Sequence, residues 1–168
     1  GRGEAMQDSV ESRVRRLFPD CIEQPAVHRL DMDTSGLLVL AFTKDAYRNL
    51  RLQFEAGTVK KAYVAVVQGF VQPGTSGTIR LPTRLDVEHR PCQVYDPIRG
   101  KLGVTQWRAV KAEKRDGILC TRIEFVPETG RTHQLRLAAA HELGLGLPIC
   151  GDRLYGTRHD GERLLLHA

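Results

Sequence analysis

The sequence predicts an α+β fold, in which helices pack on a mostly antiparallel sheet. Two runs of alternating apolar and polar residues, 103–114 and 118–127, flank the turn sequence "KRDG" and predict a hairpin of antiparallel strands. Three further segments have the apolar spacing of amphipathic helices. A chain of 168 residues without internal repeats is long enough to bury a core, so we expect a single domain.

Two helices are predicted in the first third of the chain, on either side of an apolar strand. Asp8 and Glu11 have the spacing of a capping box, which predicts a helix that runs to Pro19. The continuous apolar run "GLLVLAF", residues 36–42, has the length of a strand buried on both faces. Thr43 is the predicted cap of the second helix. The apolar stripes are Val10, Val14, Leu17 and Phe18 in the first helix, and Tyr47, Leu50 and Phe54 in the second, with Gly57 as its terminator.

The rest of the chain alternates strands, one long loop and a third helix. A strand is expected at 62–67, between the turn sequences "GTVK" and "PGTSGT". The prolines and arginines of 79–103 predict a long irregular loop with short strands. A third helix follows "ETGRT" and ends near Gly144, and the terminal "RLLLHA" has the pattern of a strand that is cut off. The predicted inward residues of that helix are Leu135, Ala138 and Ala139.

Composition and charge narrow the function classes. The net charge of +5 and the pI of about 9.2 favour a polyanionic partner such as nucleic acid. No segment approaches the length of about 20 apolar residues that a membrane span needs, and the N-terminus lacks an apolar signal core. The four cysteines are widely spaced without a CxxC pair, which argues against a zinc site and a disulfide framework. We therefore expect a cytoplasmic protein with reduced thiols.

Three polar clusters interrupt this framework: "HRLDMDTSG", "KKAY" and "TGRTHQLR". Each cluster alone has an ordinary structural explanation. In the first, Asp31 and Asp33 cap the amides of a tight turn. In the second, the lysines are charges on an edge strand. In the third, Thr132 caps a helix that exposes Arg131 and Arg136.

Together the clusters resemble the motifs of the RluA-type pseudouridine synthases, which convert selected uridines of RNA into pseudouridine. "HRLDMDTSGLLVLA" is similar to the family's signature, "KKAYVAVVQG" to its second motif, and "GRTHQLRLAAAHELGLGLPICGDRLYG" to its third. The motifs occur in the same order and spacing, and the resemblance spans essentially the whole chain. It implies the pseudouridine synthase fold, with a bent, mostly antiparallel sheet.

The resemblance also assigns the catalytic residues. Asp31 matches the catalytic aspartate, which acts near the sugar either as a nucleophile or by stabilising a developing positive charge. Arg136 matches the arginine that pairs with this aspartate, and Arg131 is the second candidate for that role. Tyr63 matches the active-site tyrosine whose ring lies against the target base and whose hydroxyl could transfer a proton.

Further residues are implied to bind RNA or to help displace the base. Arg29 matches an arginine that, in the member that gives the family its name, enters the space the base leaves. His28 is expected to set the geometry of the turn by hydrogen bonding, rather than to transfer protons. Lys61 and Arg131 complete the predicted RNA-binding set. Asp33 occupies a position that varies in the family, so it is interpreted as a cap.

The reaction implied by the resemblance needs no cofactor and no metal. The expected partner is RNA: large-subunit ribosomal RNA, the anticodon loop of a transfer RNA, or both. We expect a monomer without a membrane association. Compared with the family, residues 1–168 form one catalytic domain from which N-terminal and C-terminal parts are missing, which puts the stability and activity of this chain in question.

Two other function classes compete with this hypothesis. A catalytically silent RNA-binding module of the same fold would be marked by loss of Asp31, Tyr63 or Arg136, and all three are present. A hydrolase would use Asp31 and Asp33 as an acid and base pair. Residues two apart on an extended segment face opposite ways, so that pair needs a turn between its members.

Overall fold

The computed structural model describes residues 8–156 and 163–168 of the chain. The described residues divide into two compact units. The first consists of residues 8–30 and 37–59, and the second consists of residues 31–36, 60–156 and 163–168. No helix in these ranges has the length and apolar character required to cross a bilayer.

The first unit contains two helices, α1 (Val10–Leu17) and α2 (Lys44–Glu55). The cap of α2 is Thr43, as predicted, and Gly57 follows the helix in the left-handed region at φ +68°. The predicted cap of α1 is wrong by one residue, because Ser9 and Ser12 exchange the two capping-box hydrogen bonds.

The apolar run 36–42 is not a buried strand, so that prediction is wrong. Leu37 is 78% exposed, and among the described residues the run forms a single isolated bridge, between Ala26 and Leu40. The amide of Ala41 also donates to the carbonyl of Pro25 at 2.7 Å. Pro25 has no N–H group to return such a bond, so a regular ladder does not form at this position.

The second unit is built on a six-stranded antiparallel sheet with the order β3-β2-β4-β5-β1-β6. The strands are β1 (Tyr63–Gln68), β2 (Ser76–Leu85), β3 (Gln93–Tyr95), β4 (Lys101–Arg115), β5 (Ile118–Pro127) and β6 (Leu166–His167). The predicted hairpin is present as β4 and β5, with a register shift between Ala109 and Lys111. The strand predicted at 62–67 is β1, displaced by one residue.

The segment 79–103 is more regular than predicted. Residues 79–85 belong to β2, a strand of 10 residues that pairs with β4 along most of its length. Ile79, Leu81 and Thr83 are buried and alternate with the exposed Arg80 and Arg84. The strand period was therefore present in the sequence but obscured by arginines and a proline.

Helix α3 (Gln134–Ala140) is placed against β2 and β4 of this unit. The predicted inward residues of α3 are buried, and the helix ends earlier than the predicted Gly144. The largest core cluster joins α3, β1, β4 and β5, and its fully buried members include Phe125, Ile123 and Val67. This packed core holds the polar residues described next in fixed positions.

Candidate active site

The segment that carries Asp31 is attached to the edge of the sheet through Ser35. The amide of Ser35 donates to the carbonyl of Leu166 at 3.2 Å, and the amide of Ala168 donates to the carbonyl of Ser35 at 2.9 Å. Gly36 lies at φ +130°, and a Cβ there would collide with the backbone of Ala168. Because β6 also pairs with β1, Asp31 is anchored close to the strand that carries Tyr63.

The carboxylate of Asp31 is not engaged as a turn cap. Its backbone carbonyl, rather than its side chain, accepts the hydrogen bond from the amide of Thr34, at 3.0 Å. Within residues 8–156 and 163–168, no hydrogen bond or ion pair joins the carboxylate of Asp31 or that of Asp33 to another group. The interpretation of Asp33 as a cap is therefore wrong, and the structural alternative in which Asp31 caps the turn is wrong as well. The half-buried Asp31 keeps its lone pairs for another partner.

Tyr63 is the first residue of β1, half-buried and within electrostatic range of Asp31. Burial of the ring, together with the negative charge of Asp31, raises the pKa of the Tyr63 hydroxyl above its ordinary value. The phenol therefore stays protonated at neutral pH and is able to donate a hydrogen bond.

Arg136 is buried in α3 and pairs with Asp152, not with Asp31. Nε of Arg136 donates to Oδ2 of Asp152 at 2.9 Å, and Nη2 donates to Oδ1 at 2.6 Å. The predicted direct pair with Asp31 is thus absent among the described residues, although Asp31 still interacts electrostatically with Arg136. The structural alternative for the third cluster, in which the helix exposes Arg136, is also wrong, because this side chain is 3% exposed.

Charges and hydrogen bonds determine the protonation of this pair. Burial alone would lower the pKa of Arg136, but the hydrogen bonds and charge of Asp152 outweigh burial and raise it. Burial alone would raise the pKa of Asp152, and the hydrogen bonds from Arg136 lower it instead. Both groups are therefore charged at neutral pH, and each compensates the other.

Two basic residues lie beside Gly130 at the start of the third motif. Nε of Arg131 donates to the carbonyl of Leu102 at 3.2 Å, and Arg131 is exposed to solvent. Nζ of Lys61 lies 3.7 Å from the position that a Cβ on Gly130 would occupy. Partial burial lowers the pKa of Lys61, and no carboxylate pairs with it among the described residues.

The helix cap predicted at Thr132 is also different in the structure. His133 precedes α3 in the left-handed region at φ 53°, and it caps the helix without a side-chain hydrogen bond to it. Gln134 holds the start of α3 instead, because its side-chain amide group makes four hydrogen bonds.

His28 and Arg29 belong to the first unit. Nε2 of His28 accepts a hydrogen bond from the amide of Val39 at 2.9 Å, and its ring stacks on Phe54 with a centroid distance of 4.6 Å. Arg29 is exposed. The predicted functions of both residues toward RNA remain predictions.

The second unit thus combines an open carboxylate, a protonated phenol and a buried, oriented guanidinium. In the part of the chain that is described, no three His, Cys, Asp or Glu side chains are grouped as metal ligands. The sequence interpretation assigned no role to Asp152, although the residue lies in "ICGDRLYG" at the end of the third motif. An acidic residue that follows the apolar "LPIC" after one glycine was the available signal.

The proximity of Asp31 and Tyr63 predicts a measurable titration. The difference in ultraviolet absorbance between the wild type and Tyr63→Phe should show one phenol that ionises above its ordinary pKa of about 10. In the Asp31→Asn background the same difference should give a lower midpoint, because the phenolate no longer faces a negative charge. An identical midpoint in both backgrounds would mean that Asp31 is too far from Tyr63 to act on it.

Comparison with known proteins identifies the family and the fold of the chain. A family model described as RNA pseudouridylate synthase matches residues 6–141. The dual-specificity RNA pseudouridine synthase RluA of Escherichia coli (strain K12) is 42% identical over 171 residues, covering 100% of this chain and 74% of the relative. The protein of the same name from Haemophilus influenzae (strain ATCC 51907) is 42% identical over 164 residues, covering 96% of this chain and 70% of the relative.

Two solved human structures have the same fold. RNA Pseudouridylate Synthase Domain Containing 1 superimposes with a TM-score of 0.80 at 30% identity, covering 95% of this chain and 66% of that chain. RNA Pseudouridylate Synthase Domain Containing 4 gives a TM-score of 0.69 at 24% identity, covering 92% and 69%, and supports the fold alone. These similarities confirm the predicted fold class, the RNA uridine isomerase class and the family: the chain belongs to the RNA pseudouridylate synthases.

Proposed function

We propose that this chain converts specific uridines of structured RNA into pseudouridine. The proposed substrates are large-subunit ribosomal RNA, a transfer-RNA anticodon loop, or both, since the bacterial relatives are named dual-specificity enzymes. The observation that carries the proposal is the carboxylate of Asp31, which has no protein partner among the described residues and lies within electrostatic range of Tyr63 and Arg136.

The proposed reaction needs few groups besides Asp31, Tyr63 and Arg136. The bond between ribose C1′ and uracil N1 breaks, the base turns, and a bond forms between C1′ and C5. The C5 proton leaves and N1 gains a proton, so the reaction is an isomerisation. Asp31 either attacks the sugar covalently or stabilises positive charge on it, and both roles need an ionised carboxylate with free lone pairs. Tyr63 offers its ring to the uracil and its hydroxyl for a proton transfer.

The target nucleotide must leave its stack before this reaction. Enzymes that act on bases extrude the nucleotide into a pocket and fill or stabilise the gap it leaves. We assign Arg29 to that gap. His28, whose ring nitrogen holds the amide of Val39, keeps the preceding backbone in place. In this assignment Arg29 moves into the gap, while the neighbouring His28 stays fixed.

We assign Lys61 and Arg131 to the RNA backbone. A half-buried ammonium without a carboxylate partner is costly unless an anion approaches it, and phosphate is the anion that RNA supplies. The Lys61→Met variant should therefore bind RNA more weakly and reduce the slope of log affinity against log salt by about one. The measurement is fluorescence anisotropy of labelled RNA across a salt series.

Lys60 provides the matched control for that experiment. It is the preceding residue, it is exposed, and Lys60→Met removes the same charge. Long-range attraction falls equally in both variants, so only a contact at Lys61 gives it the larger loss of slope. Equal slopes for the two variants would remove Lys61 from the binding surface.

The proposed function is tested by chemical mapping of pseudouridine in ribosomal and transfer RNA from cells with and without the gene. Loss of one or a few sites, restored by the wild-type gene, would establish the enzyme and its uridines together. RNA binding by the purified chain without pseudouridine formation in any RNA would instead indicate a silent binding module. We propose further that the protein acts in the cytoplasm as a monomer, which fractionation and sedimentation would test.

A further inference from the structure

We propose that Asp152 is a positioning residue, which holds Arg136 in one orientation and thereby leaves the carboxylate of Asp31 free to act on the substrate. The inference rests on the proposed function. It concerns a carboxylate that the motif comparison did not assign and that the structure places directly against a catalytic arginine.

The first observation is the geometry of the pair. Two parallel hydrogen bonds join Nε and Nη2 of Arg136 to the two oxygens of Asp152, at 2.9 and 2.6 Å. The side chains are 3% and 0% exposed. Such a fork fixes the plane of the guanidinium as well as its position, which a single hydrogen bond does not.

The second observation is that Asp152 itself cannot turn. Its Oδ1 also accepts hydrogen bonds from the amides of Leu154 and Tyr155, at 2.9 and 3.1 Å. The loop approaches its neighbour so closely that a Cβ on Gly151 would collide with the carbonyl of Arg163. Asp152 is therefore a fixed acceptor built into the turn, and it imposes its orientation on Arg136.

A third contact closes the other side of the guanidinium. Cζ of Arg136 lies 5.4 Å from the centre of the Tyr155 ring. The Tyr155 hydroxyl accepts from the amide of Gln93 at 2.7 Å and lies 2.8 Å from Nδ1 of His133. A strand, a helix cap and a loop thus meet on the ring that supports Arg136.

The consequence concerns Asp31. Asp152 engages Nε and Nη2 of the guanidinium and leaves Nη1 unused. Arg136 then acts on Asp31 through its charge, without the fork that would occupy both carboxylate oxygens. A catalytic carboxylate must keep a lone pair available for the sugar. Asp152, rather than Asp31, accepts the paired hydrogen bonds of Arg136.

The test is a double-mutant cycle on the purified chain with the variants Asp152→Asn, Arg136→Gln and the combination. The probe is total RNA from cells lacking the gene, labelled with tritium at uridine C5, and the readout is tritium released. In Asp152→Asn, Arg136 is released to pair with Asp31. We expect kcat to fall at least about tenfold with KM within about twofold. In the Arg136→Gln background, Asp152→Asn should have no further effect on kcat.

Asp33→Asn is the control, because it removes a carboxylate that no hydrogen bond or ion pair joins to Arg136 among the described residues, and it should leave kcat within about twofold of the wild type. Should Asp152→Asn fail to fold, Asp152→Glu keeps the charge and displaces the fork by one methylene. It should then lower kcat at least about fivefold at unchanged KM. Wild-type kcat in Asp152→Glu, wild-type kcat in a folded Asp152→Asn, or additive losses in the cycle would overturn the inference. Lack of tritium release by the wild type would contradict the proposed function instead.

Discussion

Asp31→Asn should abolish pseudouridine formation while RNA affinity stays within a few-fold of the wild type. The amide keeps the size of the carboxylate but can neither attack the sugar nor carry a full negative charge. Because no hydrogen bond or ion pair among the described residues uses the side chain of Asp31, the fold should lose little. We expect kcat to fall by at least about a thousandfold, measured as tritium release from C5-labelled RNA.

The same substitution two residues later separates the competing mechanisms. Asp33→Asn should retain most of the wild-type activity, whereas a hydrolase that uses both aspartates would lose activity in either variant. Anisotropy with the same RNA shows whether binding survives in Asp31→Asn. Substantial turnover in Asp31→Asn would mean that the reacting carboxylate is a different residue.

Gln134→Leu should destabilise the fold by about 3 kcal/mol, although the side chain lies at the start of a helix and is only partly buried. Its carbonyl oxygen accepts from Oγ1 of Thr129 and from the amide of Arg131, at 2.8 and 2.9 Å. Its amide nitrogen donates to the carbonyl of Val104 and to Oγ1 of Thr105, at 3.0 and 2.9 Å. Leucine has a similar volume but no amide group, so each of the four partners loses its hydrogen bond to residue 134.

Gln106 is the matched control, since it lies on β4 close to the same region. Its amide donates to one exposed carboxylate, that of Glu128, at 2.7 Å. Gln106→Leu should change the free energy of unfolding by less than about 1 kcal/mol. Urea denaturation of both variants, with unchanged m-values, makes the comparison. Equal stabilities would show that Gln134 does not hold the third motif to the sheet.

The elements with local signals were predicted well. The β4–β5 hairpin has an alternating pattern and a Gly-containing turn, and α2 has a capping threonine, an apolar stripe and a terminating glycine. The prediction of a strand at 36–42 was wrong because a strand also needs a partner segment that can complete its hydrogen bonds. The segment opposite this run contains Pro25, which has no N–H group. The prediction of an irregular loop was wrong at β2, because arginines and a proline obscured the alternation of buried residues that this strand has when it pairs with β4.

The candidate site shows the same limit. Asp31, Tyr63 and Arg136 could be predicted through resemblance to known motifs, and the structure places them in one unit. The partner of Arg136 could not be predicted correctly, because two carboxylates compete for one guanidinium and only the packing of the 148–156 loop decides between them. Local sequence has no signal for a competition of this kind.

The attachment of Ser35 to β6 has a consequence for biosynthesis. The hydrogen bond from Oγ of Ser35 to the carbonyl of Leu166 spans 131 positions of the chain. A ribosome therefore makes Asp31 long before it makes the strand that holds the Asp31 turn in place. Domains generally fold as units while synthesis proceeds from the N-terminus. A nascent chain that ends before β6 therefore lacks this hydrogen bond, and its Asp31 turn is not yet attached to the sheet.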